Sequence, residues 1–293
     1  EEEFGFNTAL TFNADGSMLC WIRYDESKVR QYGLQFFKGS NPERTENTTY
    51  PDIYSYKYPK AGEDNSKVSA WSFDIKSHRI QRLDIPLDAD GYMPRILSTD
   101  DPDRIVVYTM NRHQDVLNLY GVNPRSTVSH LLIKESVPKY VKEEAMANIR
   151  LGKDYILLPS DRDGYMHLYL YSGTGTLKRK IGDGNYDITN VYGLDEKTGD
   201  VYYQAAVLNA HDRQIYVSHA NGKTERLTRQ EGWNSAVFSG DFQYFVNIWS
   251  DYNTPYVYTT RKNDGKIIAT DVDNHELKAK IQRYGWAKRE AFS

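Results

Sequence analysis

The sequence has little that could crosslink the fold or hold a metal. Cys20 is the only cysteine among 293 residues, which excludes an intramolecular disulfide and a cysteine-based metal site. Cys20 sits in the apolar run of residues 18–22, and this context predicts a buried structural thiol. The seven histidines are scattered without the spacing of metal ligands. We therefore expect neither a metal nor a cofactor.

Long apolar runs and runs of positive charge are also missing. No stretch approaches the about 20 apolar residues that a membrane-spanning helix needs. The formal net charge is −3, and no long basic run is present. The sequence therefore predicts no membrane span in this segment and no nucleic-acid partner.

The common catalytic motifs are absent as well. There is no Gly-x-Ser-x-Gly nucleophile elbow, phosphate-binding Walker loop, dinucleotide-binding Gly-x-Gly-x-x-Gly or His-Glu-x-x-His zinc helix. We therefore predict no catalytic residue in this chain.

Aromatic residues are abundant, and they favour strands. They make up 13% of the chain, with 24 tyrosines, which suits half-buried pleated surfaces. Residues 8–12 and 18–24 flank an Asp15-Gly16 turn and predict a hairpin. Helix signals are weak; they occur at residues 142–149 and after Asp273-Asn274.

A repeat organises most of the chain. Five segments share an aromatic, alternating strand, a polar turn and a second strand, and their central aromatics are 47, 49, 47 and 42 residues apart. These aromatics are Phe73, Tyr120, Tyr169, Tyr216 and Tyr258. A period of about 40 to 50 residues with several short strands per unit is typical of propeller blades. An irregular sandwich with coincidental spacing is the alternative.

One segment interrupts the period. Residues 32–65 are polar and tyrosine-rich, and the segment is too long for an ordinary connection. Its aromatic content predicts an ordered arm that packs on another surface.

The acidic triplet Glu1-Glu2-Glu3 has two interpretations. An acidic chain start is usually a solvated tail. Two neighbouring carboxylates in a cavity would instead repel each other, and a primary ammonium would relieve this repulsion with charge-assisted hydrogen bonds to both. Such a pair would bind the free N-terminus of a peptide.

Three motifs carry a family resemblance. Glu1-Glu2-Glu3-Phe4 resembles the Tyr-Glu-Glu-Glu segment of the dipeptidyl peptidase IV family, whose Tyr would precede residue 1. The segment 58–65 (Tyr-Pro-Lys-Ala-Gly-Glu-Asp-Asn) resembles the family's Tyr-Pro-Lys-Ala-Gly-x-x-Asn. The segment 160–169 is similar to a Ser-x-Arg-Asp-Gly-x-x-His-Leu-Tyr hairpin of bacterial members.

The resemblance implies an all-β fold and a division of labour. The family joins an eight-bladed propeller of four-stranded antiparallel blades to a C-terminal α/β-hydrolase domain with the catalytic Ser, Asp and His. Residues 1–270 would hold about five blades, with the arm at 32–65, and residues 271–293 would lead toward the hydrolase domain, which would lie after Ser293. Peptides with a free N-terminus would bind Glu2 and Glu3, and Xaa-Pro or Xaa-Ala dipeptides would be released.

Further expectations follow from the same resemblance. The arm at 32–65 would form a homodimer, with an ordinary surface flap as the alternative. A periplasmic or cell-surface location is expected from bacterial members. Two other functions remain open: a non-catalytic propeller that serves as a binding or scaffold module, and an acylaminoacyl-peptidase- or oligopeptidase-like enzyme.

Overall fold

A computed structural model of the chain describes residues 4–5, 8–37 and 49–290. It divides into two compact units, one ending at Tyr140 and the other beginning at Val141. Among the described residues, no helix combines the length and apolarity needed to cross a membrane.

The first unit contains two four-stranded antiparallel sheets and a separate two-stranded hairpin. The sheet orders are β1-β2-β5-β6 and β7-β8-β9-β10, and β3 pairs with β4. The strands are β1 (Leu10–Phe12), β2 (Met18–Asp25), β3 (Gln31–Phe36), β4 (Asp52–Lys57), β5 (Lys67–Asp74), β6 (Ile80–Arg82), β7 (Tyr92–Ser98), β8 (Ile105–Met110), β9 (Val116–Val122) and β10 (Ser129–Ser136).

The second unit contains three more sheets of the same kind, ordered β11-β12-β13-β14, β15-β16-β17-β18 and β19-β20-β21-β22. Its elements are α1 (Glu143–Ala147), β11 (Arg150–Leu151), β12 (Tyr155–Ser160), β13 (His167–Ser172), β14 (Leu177–Ile181), β15 (Ile188–Asp195), β16 (Asp200–Ala205), β17 (Gln214–Ser218), β18 (Thr224–Arg226), β19 (Trp233–Phe238), β20 (Tyr244–Asp251), β21 (Thr254–Lys262), β22 (Ile267–Val272) and α2 (His275–Arg283).

The predicted propeller repeat is confirmed. Each of the five four-stranded sheets is an antiparallel meander, which is the blade unit, and we number these five sheets as the first to fifth blades. The five central aromatics all lie on the third strand of their blade, where they have strand neighbours on both sides. The arm interrupts the first blade between its second and third strands, so it leaves the blade order intact.

Consecutive blades within each unit pack face to face. In β2 the residues that point to one face, Met18, Cys20 and Ile22, are buried against Ile105 and Val107 of the second blade. This alternation follows from the two-residue period of a strand. The Cys20 thiol has no solvent exposure, and burial raises its pKa to about 12, so the predicted structural role is confirmed.

The second unit has the same packing at both of its blade contacts. Leu157 and Leu168 of the third blade meet Val201 and Tyr203 of the fourth. The fourth and fifth blades share another apolar cluster, made of Tyr202, Ile215, Val217, Leu227, Ala236 and Phe245. The apolar faces of the blades are therefore what joins one repeat to the next.

A buried polar network joins the fourth and fifth blades beside this apolar cluster. Asn234 is fully buried, and its Nδ2 donates to the carbonyl oxygen of Gln230 at 3.1 Å. Its Oδ1 accepts a hydrogen bond from Asn247 Nδ2 at 3.2 Å, and its carbonyl oxygen accepts one from Gln204 Nε2 at 2.6 Å. Because burial makes unpaired polar groups costly, this network fixes the alignment of the two sheets.

Replacing Asn234 by Ala should therefore lower the free energy of unfolding by about 2 kcal/mol, because it leaves the buried amide of Asn247 without its partner. Asn247→Ala should cost only about 1 kcal/mol, because it removes one hydrogen bond together with Asn247 Oδ1, a buried atom without a partner among the described residues. By contrast, Asn234→Ala also removes the bonds from Asn234 Nδ2 to the Arg213 and Gln230 carbonyl oxygens. Ser235→Ala, at the next position of the same strand, is the control and should change little. Urea denaturation measures the loss in the free energy of unfolding for the three variants. Equal losses for the two asparagine variants, or a larger loss for Asn247→Ala, would contradict the network.

Candidate functional site

The two predicted substrate-binding residues, Glu2 and Glu3, lie outside the described residues. Phe4 is the described residue that directly follows them. The chain turns immediately after it, where Gly5 adopts a positive φ of 60° that favours glycine.

Phe4 is anchored on the second blade. Its side chain is only 6% exposed, and its ring meets Tyr92 edge to face with centroids 5.2 Å apart. The Arg112 guanidinium lies 5.6 Å from the centre of the same Tyr92 ring. Such aromatic contacts contribute about 0.5–1.5 kcal/mol each beyond apolar burial. The backbone that follows the acidic triplet is thus held against a blade, beside an arginine.

The arm is built around a ladder of aromatic side chains. Tyr54 contacts Phe36 and Tyr56, with ring centroids 5.8 and 5.6 Å apart. Tyr58 contacts Tyr56 and Tyr32, at 5.8 Å in both cases. A two-stranded hairpin alone is marginally stable in water, and these ring contacts support it.

The arm nonetheless exposes apolar side chains on both faces of its hairpin. Ile53 is 62% exposed, and Phe37, Tyr50 and Tyr54 are also exposed. Exposed apolar side chains in a cluster mark surfaces that contact another protein. Part of the predicted arm, residues 38–48, lies outside the described residues.

The second family motif, residues 58–65, forms the return from the arm to the first blade. The Glu63 amide donates to the Lys60 carbonyl oxygen at 3.0 Å, and Gly62 supplies the positive φ of the turn. Asn65 is buried, and its Nδ2 donates to the Asp90 carbonyl oxygen at 3.2 Å. These residues therefore fix where the arm leaves the blade.

The third motif, residues 160–169, forms a polar cluster on the third blade. The turn closes through the Gly164 amide, which donates to the Asp161 carbonyl oxygen at 2.9 Å. The buried His167 ring places Nδ1 3.2 Å from Asp163 Oδ1 and Nε2 3.0 Å from the Gly184 carbonyl oxygen. Lys180 pairs with the same Asp163 carboxylate. The conspicuous motif thus has a structural role.

This cluster predicts an acid-sensitive contribution to stability. Burial tends to raise the pKa of Asp163, but the hydrogen bonds from Lys180 and His167 outweigh it and lower the pKa from 3.8 to about 2. A carboxyl group with a lowered pKa stabilises the fold above its unfolded value, and this contribution is lost as the pH falls toward 2.

The free energy of unfolding of Asp163→Asn should therefore be lower than that of the parent protein at neutral pH. This difference should narrow as the pH falls from about 4 to about 2. Asp264→Asn, at an exposed turn of the fifth blade, is the control. Chemical denaturation across this pH range measures the difference in the free energy of unfolding. A difference that does not change with pH would contradict the assigned ionisation of Asp163.

Sequence reasoning missed two features around these sites. Phe4 was noted only as the end of the acidic segment, and nothing in the sequence marks Tyr92 as its partner. It also missed a groove on the second unit that contains Asp212 and Trp233. Its residues come from four separate turns and strands, so no spacing rule connects them.

Known proteins show which family shares this architecture. The model of the family "Dipeptidyl peptidase IV (DPP IV) N-terminal region" matches residues 1–256. Dipeptidyl peptidase 4 of Trichophyton rubrum is 25% identical over 307 aligned residues, covering 100% of this chain and 39% of the relative. Probable dipeptidyl peptidase 4 of Aspergillus flavus is 26% identical over 302 aligned residues, covering 97% of this chain and 38% of the relative.

Solved structures agree with the sequence comparison. The crystal structure of Porphyromonas gingivalis dipeptidyl peptidase 4 matches with a TM-score of 0.88 and 35% identity, over 96% of this chain and 39% of that one. A putative dipeptidyl aminopeptidase IV from Bacteroides ovatus shares the fold, with a TM-score of 0.75 and 21% identity, over 92% of this chain and 40% of that one. The chain thus spans about two fifths of the length of these proteins.

Proposed function

The chain belongs to the dipeptidyl peptidase IV family, and on this premise we propose that it is the substrate-selecting propeller region of a serine exopeptidase. The complete enzyme would release Xaa-Pro and Xaa-Ala dipeptides from peptide N-termini. The catalytic Ser, Asp and His would belong to an α/β-hydrolase domain elsewhere in the same protein. The observation that carries the proposal is the acidic pair Glu2-Glu3 directly before the anchored Phe4.

The chemical role of the pair follows from its charge. Two adjacent carboxylates repel each other, and a peptide's terminal ammonium relieves that repulsion while donating hydrogen bonds to both. Phe4, which directly follows the pair in the sequence, is anchored on Tyr92. Because the terminal ammonium nitrogen of the substrate would be fixed, only its second peptide bond would reach the catalytic serine. Such positioning can supply several kcal/mol of rate enhancement.

The complete protein provides a direct test. Glu2→Gln and Glu3→Gln should each lower kcat/KM for H-Ala-Pro-p-nitroanilide on the order of 100-fold, because each substitution removes a charge-assisted contact to the ammonium. Glu1→Gln, the neighbouring acid, is the matched control and should keep near-parental activity. Circular dichroism and melting temperature check that the variants are folded.

Three results would contradict this proposal or favour a rival. Near-parental activity in both Glu2→Gln and Glu3→Gln would contradict the proposal that these two carboxylates form a clamp for the ammonium group of the substrate. Faster turnover of N-acetyl-Ala-Pro-p-nitroanilide than of the free-amine substrate would favour an acylaminoacyl-peptidase- or oligopeptidase-like enzyme. The absence of any turnover by the complete parental protein would favour a non-catalytic scaffold.

The terminal blades support a longer propeller. On the first blade, the face opposite Cys20 carries the exposed Leu10, Phe12 and Ile80, and Phe12 is 48% exposed. On the fifth blade, Val237 is 63% exposed and shares a face with Val246. Between consecutive blades within each unit, such apolar faces cover each other. We propose that further blades of an eight-bladed propeller cover these two faces, with residues 1–270 as propeller and 271–293 as the exit segment.

The arm is proposed to join two copies of the protein. Among the described residues, β3 and β4 form a sheet only with each other, and Ile53, Tyr54 and Phe37 of the arm expose apolar surface. Exposed strand edges with apolar side chains favour pairing with another chain.

We also propose a periplasmic or cell-surface location for the complete protein, on the basis of family membership.

An Ile53→Asp,Tyr54→Asp double variant should convert the dimer of the complete protein to a monomer, because it places charge in the apolar contact. Val128→Asp, at an exposed position of the second blade, is the matched control and should remain a dimer. Light scattering coupled to size-exclusion chromatography measures the mass. A parental monomer, or a double variant that stays dimeric, would refute the role of the arm.

A further inference from the structure

A groove on the second unit has the chemistry of a cation-binding site. It has a volume of about 850 Å³ and opens between the turns β16–β17 and β20–β21. Its lining combines carboxylates with large aromatic rings. The six side chains on which the argument rests are Asp212, Glu231, Asp251, Trp233, Tyr252 and Tyr256.

The buried carboxylate of Asp212 is the first observation. The residue is only 6% exposed, although it lines the groove. Its Oδ2 accepts a hydrogen bond from Asn209 Nδ2 at 2.8 Å. His211 Nε2 lies 3.9 Å from Oδ1, which is too long for a hydrogen bond. Oδ1 accepts no hydrogen bond from the described residues and is not fully buried, so it is open to the groove, where an entering donor can bond to it.

The aromatic rings are the second observation. Trp233, Tyr252 and Tyr256 are all about half exposed where they line the groove. The Arg213 guanidinium already lies 4.8 Å from the centre of the Trp233 ring. A flat guanidinium stacks on such rings more effectively than a compact ammonium does.

The charges already present leave the groove acidic. Arg213 Nη1 donates to the carbonyl oxygens of Ala210 and Asp212, at 2.9 and 2.8 Å. The one arginine in the lining, Arg289, has its guanidinium 5.3 Å from the Trp286 ring. Among the described residues, neither arginine forms an ion pair with Asp212, Glu231 or Asp251. In the described part of the chain, the groove is therefore lined by three acidic residues, one arginine and His211.

The walls of the groove are held in place by hydrogen bonds. Trp249 Nε1 donates to the Glu231 carbonyl oxygen at 2.7 Å, which fixes the backbone beside Trp233. On the other side, Asn253 Nδ2 donates to the Arg289 carbonyl oxygen at 2.9 Å, and the Arg289 amide donates to Asn253 Oδ1 at 2.8 Å. A site on a rigid frame loses little entropy on binding.

We propose that this groove binds an arginine side chain of a peptide ligand. The guanidinium donates to Asp212 Oδ1 and lies against the rings of Trp233 and Tyr252, while Glu231 and Asp251 add negative charge at the rim. A guanidinium fits better than an ammonium because it combines planar stacking with forked donors. The site takes a side chain, so the peptide does not need a free N-terminus.

The test uses acetyl-Gly-Arg-Gly-amide, whose blocked N-terminus cannot occupy an ammonium clamp. Its neutral twin, acetyl-Gly-citrulline-Gly-amide, keeps the shape without the charge. Ligand-observed NMR titration of the complete protein should give at least about tenfold weaker binding for the citrulline peptide, because a charge-assisted hydrogen bond and a cation–π contact are lost.

Variants locate the site. Glu231→Gln and Tyr252→Ala lie on exposed rim positions and should weaken binding of the arginine peptide, while Asp212→Asn should weaken it most. Glu225→Gln, an exposed acid on β18 that does not line the groove, is the matched control. If Asp212→Asn fails to fold, the two rim variants decide the result.

The proposal is overturned if the arginine peptide does not bind, if the citrulline peptide binds equally well, or if Glu231→Gln and Tyr252→Ala leave binding unchanged. The readout is peptide binding and not peptidase activity. A negative result in this test therefore does not contradict the proposed ammonium clamp of Glu2 and Glu3, and a negative result for the clamp does not contradict the proposed groove site.

Discussion

The structure depends on face-to-face packing of four-stranded sheets. Each strand alternates its side chains, so every blade has two faces, and consecutive blades within a unit share an apolar layer between them. Cys20 and Ile105, or Leu157 and Val201, illustrate the contact. Because the chain connects neighbouring repeats directly, each blade obtains its core from the blades beside it, as in other repeat folds.

Packing of this kind leaves the turns at the blade ends free to carry chemistry. The arm is inserted at such an end, between β2 and β5, and the acidic segment precedes β1 in the sequence. The turns that carry Asp212 and Tyr252 also lie at such ends. The sheets hold these segments through a few specific contacts, such as Phe4 on Tyr92 and Asn65 on the Asp90 carbonyl oxygen. Binding residues on loops held by a rigid scaffold are the common arrangement in proteins.

Much of the architecture could be predicted because it depends on local patterns. The spacing of Phe73 and the later central aromatics identified the third strand of all five blades. Both weak helix signals correspond to helices, α1 and α2. The cap of α2 differs in detail: Asn274 is left-handed, with φ 51°, and its Nδ2 donates to the Tyr256 carbonyl oxygen instead of capping the helix.

The rest depends on contacts between residues distant in sequence. Asn234 resembles any polar strand residue, and its full burial follows from the packing of the fourth blade on the fifth. The groove brings Asp212 beside Trp233 and Tyr252 only after both blades have formed. Glu2 and Glu3 were recognised from their motif, and their role stays a prediction because they lie outside the described residues.

The central proposal is that further blades cover the apolar faces of the first and fifth blades. Maleimide labelling of Phe12→Cys and Val237→Cys in the complete protein tests it most directly, with Val128→Cys as an exposed reference and Cys20 as a buried one. The account predicts that positions 12 and 237 react as slowly as Cys20 because other blades cover them. Labelling as fast as at position 128 would contradict it.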